Sequence, residues 1–229
     1  MKPEMFTVIL AGLVHATLQL GVGTLLLLYH SSLGKHVKRK TRELVTNYTL
    51  GNGLLTGIAV AGACFGVYVI CEGEMNPAML TVVVGILVAL AISIWAFYYR
   101  FGKSTELWLP KTIARYINKR AKLTESNTEA FGLGMLACFA EAPFTLILIV
   151  VTANAILGLP QALQLLAIAL YAALSVLPLI VMRIAVSKGQ TVVDVQKWRI
   201  KNKNFIRVTS GAGFAVLAAF LLVFKILGA

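Results

Sequence analysis

The chain has 229 residues, of which 59% are hydrophobic and only 13% are charged. A soluble globular domain is about half apolar and about a quarter charged, so much of the apolar surface here must face lipid rather than water. Composition therefore predicts a single integral membrane domain over residues 1–229. An enzyme is not expected, because the sequence contains no HExxH, no GxSxG and no paired intramembrane acids. No cofactor is predicted.

Six apolar segments are long enough to span a membrane as helices, which takes about 20 mostly apolar residues. They cover residues 5–29, 50–71, 78–99, 130–156, 161–182 and 208–228. Their apolarity is continuous, whereas barrel strands alternate over about ten residues. The predicted fold class is therefore all-α integral membrane with six transmembrane helices. Pro178 is expected to kink the fifth helix.

Two connecting segments also show helical patterns. In residues 107–122, Trp108, Ile113 and Ile117 share one helical face, and most of the basic side chains lie opposite. Pro110 suits the first turn of a helix. We expect a short helix in the membrane interface here, and a second one over residues 191–201.

The net charge of +12 is distributed unevenly along the chain. Nearly all Lys and Arg residues fall in the first, third and fifth connections, which are residues 30–49, 100–129 and 183–207. This alternation is the positive-inside pattern, and it predicts a multi-pass protein of the plasma or inner membrane with both termini outside the cytoplasm. The expected partner of the basic loops is the lipid bilayer, with its anionic headgroups, and not nucleic acid.

Three predicted spans precede the long third connection and three follow it, so the two halves enter the membrane in opposite directions. This count predicts two inverted three-helix repeats, residues 1–102 and 130–229, joined by a cytoplasmic loop with an interfacial helix over residues 103–129. An alignment of spans one and four without gaps pairs Gly12 with Gly134, Gln19 with Glu141, and Gly21 with Pro143.

Glu141 is the one acid placed in the middle of a predicted span. A charge at the bilayer centre costs about 3 kcal/mol on insertion scales, so it needs a proton, a partner or a wet cavity. No Lys or Arg is predicted at similar depth. Glu141 is therefore expected to carry a proton or bind a cation, the alternative being a protonated side chain that hydrogen-bonds between helices.

The residues around Glu141 suggest how a site could be built. Pro143 frees the carbonyl of Phe139 and is predicted to break helix four, and Gly21 is predicted to break helix one. The candidate substrate- or ion-binding residues are polar side chains of spans one, two and four: Glu141, Gln19, His15, Thr17 and Asn52. The alternatives are helix–helix hydrogen bonds for His15 and a helix-end cap for Asn52. Whether the site holds a metal is left open.

Two inverted halves, each opening with a broken, glycine-containing helix, resemble the lysine exporter superfamily. The last span, which runs from Arg207-Val-Thr-Ser-Gly211 to Leu227-Gly228, is similar to the closing helix of those proteins. The superfamily includes amino-acid exporters, metal exporters and the DsbD/CcdA thiol-electron conductors. Those conductors have a cysteine in each broken helix, but here Cys138 aligns with Ala16. Exporter branches often place an acid or proline near both breaks, but here Gln19 stands where an acid would.

The resemblance and the midspan acid lead to one expected function. It is a small secondary transporter, a proton-coupled exporter of a small cation or amino acid, with its site at the midplane where helices one and four are broken. The alternatives are a DsbD/CcdA-like thiol redox protein using Cys138 with Cys64 or Cys71, and a non-transporting membrane scaffold. The substrate and the oligomeric state are left open, and a homo-oligomer is compatible with the sequence.

Overall fold

A computed structural model describes residues 2–19, 34–97, 111–188 and 192–228. Within these ranges the fold is helical and contains no strand. The helices are α1 (Pro3–Leu18), α2 (Gly34–Cys71), α3 (Pro77–Phe97), α4 (Lys111–Leu123), α5 (Asn127–Leu157), α6 (Gln161–Ser175), α7 (Leu177–Ser187), α8 (Val192–Lys201) and α9 (Lys203–Leu221). A π-helical turn, Leu222–Ile226, continues α9.

Four of the described helices are long and apolar enough to cross a membrane: most of α2 (Arg39–Cys71), α3, α5, and α9 with its π-helical turn. The pair α6 and α7 meets the same test as one bent span, which raises the number to five. The first predicted span is described only as far as Gln19, and α1 is a shorter apolar helix of 16 residues. Large apolar side chains such as Phe65 (71% exposed) and Leu165 (77% exposed) cover the outer surface, as a lipid-facing protein requires. The fold is thus that of a helical membrane protein.

The first basic connection is not a loop over its described part. Residues 34–49 form the first turns of α2, a helix of 38 residues that is about 57 Å long at 1.5 Å per residue. The hydrocarbon core is only about 30 Å thick, so α2 must extend beyond it. The physical reason is local, because residues 35–50 contain no Gly or Pro and are rich in Lys and Arg, which favour helix.

The two short helices predicted in the connections are present as α4 and α8. The helix α4 is described from Lys111, and Pro110, which was predicted in its first turn, lies outside the described residues. Its apolar face does not lie only against lipid, because Ile117 and Ala121 are buried in a cluster with Leu44 of α2 and Ala130 of α5. This cluster joins α4 to the ends of the two longest helices.

The chain does not break where it was predicted to break in span four. The helix α5 runs from Asn127 to Leu157 without interruption, and Pro143 lies inside it. A proline removes one backbone donor; here the turns on both sides stay packed against neighbouring helices, so the helix continues. The kink predicted in span five is present, because the axes of α6 and α7 differ by 48° at a break two residues before Pro178. Gly21, the predicted break in span one, lies outside the described residues.

The helix α5 is the centre of the fold. It packs along α2 and also contacts α1, while α9 packs against α3 and α1. Two glycines let α2 and α5 approach closely: Gly51 of α2 faces the backbone of Phe131, and Gly134 of α5 faces the backbone of Tyr48. Small residues at such contacts are the usual means by which membrane helices pack.

Candidate functional site

Three of the predicted site residues, which come from three different helices, meet inside the bundle. The Gln19 Nε2 group donates a hydrogen bond of 2.6 Å to Asn52 Oδ1. The Gln19 side chain also lies close to the Glu141 carboxyl group. Glu141, Gln19 and Asn52 are each only 1% exposed. We call these three residues the central cluster.

Each member of the central cluster has a polar atom without a hydrogen-bond partner among the described residues: Glu141 Oε2, Gln19 Oε1 and Asn52 Nδ2. A buried polar group left unpaired costs about 1–3 kcal/mol. The free oxygens of Glu141 and Gln19 could accept hydrogen bonds from an ammonium group or coordinate a hard cation. The free amide nitrogen of Asn52 could donate a hydrogen bond. A cluster that carries this cost is a candidate binding site.

Local structure explains how the three side chains come together. The helix α1 ends at Leu18, and Gln19 is its C-terminal cap residue, so its side chain lies at the end of a helix inside the protein. Asn52 is brought close to α5 by Gly134, because a Cβ atom at that position would lie 3.0 Å from the Asn52 backbone nitrogen. Gly134 therefore lets the segment of α2 that carries Asn52 pack closely against α5.

Hydroxyl and thiol groups surround the central cluster, and sequence reasoning missed most of them. Thr145 Oγ1 donates to the carbonyl oxygen of Glu141 at 3.2 Å, and Thr56 Oγ1 lies 3.6 Å from Cys138 Sγ. Tyr48 of α2 is buried and lies near Glu141. The helical spacing of Thr145 from Glu141 is the signal that could have indicated the first of these contacts.

The other two predicted ligands do not join the central cluster. The His15 Nδ1 atom lies 2.9 Å from the hydroxyl oxygen of Tyr171, in a hydrogen bond between α1 and α6. Thr17 Oγ1 donates to the carbonyl oxygen of Val14 in its own helix, at 2.7 Å. The predicted set therefore separates into the central cluster, a His15–Tyr171 pair and a threonine that bonds its own backbone.

In the part of the chain that the structure describes, possible metal-ligating side chains and thiols lie apart from one another. In the described part of the chain, no group of three or more His, Cys, Asp and Glu side chains is placed to hold a metal ion. Cys64, Cys71 and Cys138 are all free thiols. Cys138 contacts Thr56, and Cys64 lies eight residues further along α2, about 12 Å by helical rise. A disulfide needs Cα atoms within about 7 Å, so these thiols cannot pair without backbone movement.

Polar contacts also join the helix ends at one end of the bundle. Asn154 Oδ1 accepts a hydrogen bond of 2.9 Å from the Met75 backbone N–H. Lys225 Nζ lies 3.2 Å from Glu4 Oε1, which links the first and last described helical segments.

Comparison of the chain with family models, curated proteins and solved structures finds no match. The likeness to the lysine exporter superfamily thus stays a prediction from sequence.

Proposed function

We propose that this protein is a small secondary transporter that exports a small cation or amino acid in exchange for protons. Its binding site would be the central cluster of Glu141, Gln19 and Asn52. The observation that carries the proposal is a fully buried acid that has a free oxygen and no Lys or Arg partner among the described residues. Intramembrane acids of this kind mark ion and proton pathways by default.

The chemistry of the cluster fits an exchange reaction. The Glu141 carboxyl can hold either a proton or a positively charged ligand, but not both at the same oxygen. Gln19 Oε1 would supply a second, neutral ligand oxygen, and Asn52 Nδ2 would donate to an electronegative part of the substrate. A proton arriving at Glu141 would therefore release the substrate, which is the coupling that an antiporter needs.

The packing of two aligned glycines supports the inverted repeat within this proposal. A Cβ atom at Gly12 of α1 would meet Leu174 and Tyr171 of α6, at 2.9 Å and 3.5 Å. Its counterpart Gly134 of α5 faces the backbone of Tyr48 of α2, whereas Gly12 faces side chains. Spans one and four would thus each pack a glycine against the middle span of the other half. Substrate sites of inverted-repeat transporters lie between the repeats, which is where the proposal puts the central cluster.

The orientation belongs to the same proposal. With the basic connections in the cytoplasm, the protein lies in the plasma or inner membrane with both termini outside. The Glu4–Lys225 pair and the Asn154–Met75 hydrogen bond then close the outer end of the bundle over the central cluster.

A non-transporting scaffold is the second candidate, and one observation favours it. The central cluster is almost fully buried, which also suits a fixed polar contact that holds three helices together. The redox alternative is less well supported, because the three thiols lie too far apart to form a disulfide.

The test is proton flux in liposomes that contain the purified protein and a trapped pH dye. Gradients of K⁺, Mg²⁺, Mn²⁺ or lysine serve as probes, and Glu141→Gln is compared with Glu129→Gln. Glu129 is an exposed residue of the same helix, so it controls for loss of a carboxylate. We expect substrate-driven proton flux in the wild type and in Glu129→Gln, and none in Glu141→Gln.

Infrared difference spectroscopy gives a readout that needs no substrate. We expect a carboxyl band that titrates in the wild type and disappears in Glu141→Gln. Full pH-dependent flux in Glu141→Gln would contradict the role of Glu141. A carboxyl that does not titrate, together with no flux for any probe, would favour the scaffold.

A further inference from the structure

A second group of buried polar side chains lies close to the central cluster. His15, Tyr171 and Thr152 come from α1, α6 and α5, and each is 0% exposed. The His15 Nδ1 atom shares a hydrogen bond of 2.9 Å with the Tyr171 hydroxyl, and Thr152 lies near the same hydroxyl. Within the part of the chain that the structure describes, His15 Nε2 and Thr152 Oγ1 have no hydrogen-bond partner. Whichever tautomer the ring adopts, one of its polar nitrogens is left unpaired.

Polar side chains of this group and of the central cluster lie on the same faces of two helices, α1 and α5. On α1, His15 is one helical turn from Gln19, about 6 Å along the axis. On α5, Glu141, Thr145 and Thr152 share one face, and all three are buried. The helices α1 and α5 pack against each other, so the two polar rows meet in one interface.

The buried polar side chains on α1 and α5 extend from the central cluster towards one end of the bundle. Glu4, in the first turn of α1, approaches Gly158 at the end of α5: its Cγ lies 3.2 Å from the place a Cβ of Gly158 would take. His15 and Thr152 therefore lie between Glu141 and the end of the bundle that Glu4 and Gly158 mark. They are therefore placed on one route that a proton could take from Glu141 to that end.

We propose that His15, Tyr171 and Thr152 form a proton relay that connects Glu141 with the end of the bundle at Glu4 and Gly158. The relay rests on the proposed function, because it requires Glu141 to exchange protons. Imidazole suits this work, since it has a site for a proton on each of two nitrogens.

The transfer balances with the groups present. A proton binds at His15 Nε2, the proton on Nδ1 moves to the Tyr171 oxygen, and the hydroxyl proton of Tyr171 moves to Thr152 Oγ1, which releases its own hydroxyl proton towards the end of the bundle. One proton has then crossed the group, and the ring is neutral with its proton on Nε2. The reverse steps carry a proton back to Glu141 and restore the first tautomer, whereas repeated transfer in one direction requires the ring to exchange its proton from Nε2 to Nδ1 before each further proton.

The titratable groups near the relay come from two helices. Cys138 of α5 lies near Tyr171, and Tyr48 of α2 lies near both Cys138 and Glu141. From α9, which also packs on α1, Gly213 contacts Val14, the residue before His15. The relay thus adjoins the central cluster without an intervening charge from these contacts.

The experiment measures how fast protons exchange when the pH outside the liposomes is changed rapidly. The variants are His15→Gln, which keeps polar atoms but cannot titrate, and Tyr171→Phe, which removes only the hydroxyl. Ser175→Ala is the matched control, because Ser175 is a buried hydroxyl of the same helix as Tyr171 and donates to its own backbone, at Ala172. Infrared titration of the Glu141 carboxyl is recorded for every variant.

We expect exchange to slow by at least about tenfold in His15→Gln and Tyr171→Phe, as for loss of a positioned proton-transfer group, with Ser175→Ala unchanged. Glu141 should still titrate at equilibrium, since a relay alters the rate and not the end point.

Wild-type exchange rates in Tyr171→Phe and His15→Gln would overturn the relay, while the proposed function would stand if Glu141→Gln still abolished exchange. Undiminished exchange in Glu141→Gln would overturn the proposed function itself. A Tyr171→Phe variant that folds but no longer shows a titrating Glu141 would also contradict a relay, since it would indicate a structural role.

Discussion

The close contact between α2 and α5 leads to a prediction whose size can be derived from the structure. A Cβ atom added at Gly134 would lie 2.9 Å from the carbonyl carbon of Tyr48 and 3.0 Å from the backbone nitrogen of Asn52, and closer still to the Tyr48 carbonyl oxygen. Ordinary contacts begin at 3.4 Å. All three neighbours are backbone atoms, so no side chain can rotate away. In Gly134→Ala, the two helices must therefore separate.

Overpacking of this kind costs about 1–3 kcal/mol, and we expect the upper end because only backbone can yield. Alanine also favours helix over glycine by about 1 kcal/mol, which acts in the opposite direction. Gly132→Ala is the matched control, because it has the same propensity gain on the same helix, and nothing lies within 4 Å of its new Cβ atom. The difference between the two variants isolates the contact and should be about 3 kcal/mol.

The assay is reversible unfolding in mixed detergent micelles, with the free energy of unfolding compared across variants. Gly51→Ala should behave like Gly134→Ala, because a Cβ atom there meets the backbone of Phe131. The double variant should lose less than the two single losses together, since the first substitution has already separated the helices. If Gly134→Ala is as stable as Gly132→Ala to within about 0.5 kcal/mol, the inferred close contact is wrong.

Two further predictions concern the helix ends. Ser126 accepts a hydrogen bond of 3.1 Å from the Glu129 backbone N–H at the start of α5, so Ser126→Ala should lower the free energy of unfolding by about 1 kcal/mol, and Ser126→Thr should preserve it. At Glu4, which precedes the first predicted span, burial tends to raise the pKa, but a backbone hydrogen bond and the Lys225 ammonium group lower it overall. Glu4 therefore stabilises the fold above the usual pKa range of glutamate, and this contribution is lost as the pH falls through its lowered folded pKa. Unfolding measured between neutral and acidic pH should show a smaller acid-induced loss in Lys225→Met than in the wild type, and an unchanged pH profile would refute the role of the pair.

Hydropathy alone located the helices of this protein well. The apolar segments at 78–99, 130–156 and 208–228 correspond closely to α3, α5 and α9, because the energy of transfer into lipid depends on composition over a local window. Hydropathy also placed the one midspan acid, Glu141, and the position of Pro178 indicated a bend nearby. It did not find that residues 34–49 continue α2 as a helix beyond the apolar segment.

What the sequence determined by itself is therefore the class of protein, the course of its apolar helices and the identity of the polar residues among them. Only the tertiary structure decided which of those residues meet. Gln19 and Asn52 meet through a hydrogen bond between α1 and α2, and Gly134 lets the Asn52 segment of α2 approach α5, the helix of Glu141. His15 instead pairs with Tyr171, a residue 156 positions away. Hydropathy and helical spacing act over a few turns, whereas hydrogen bonds between helices depend on how distant segments pack.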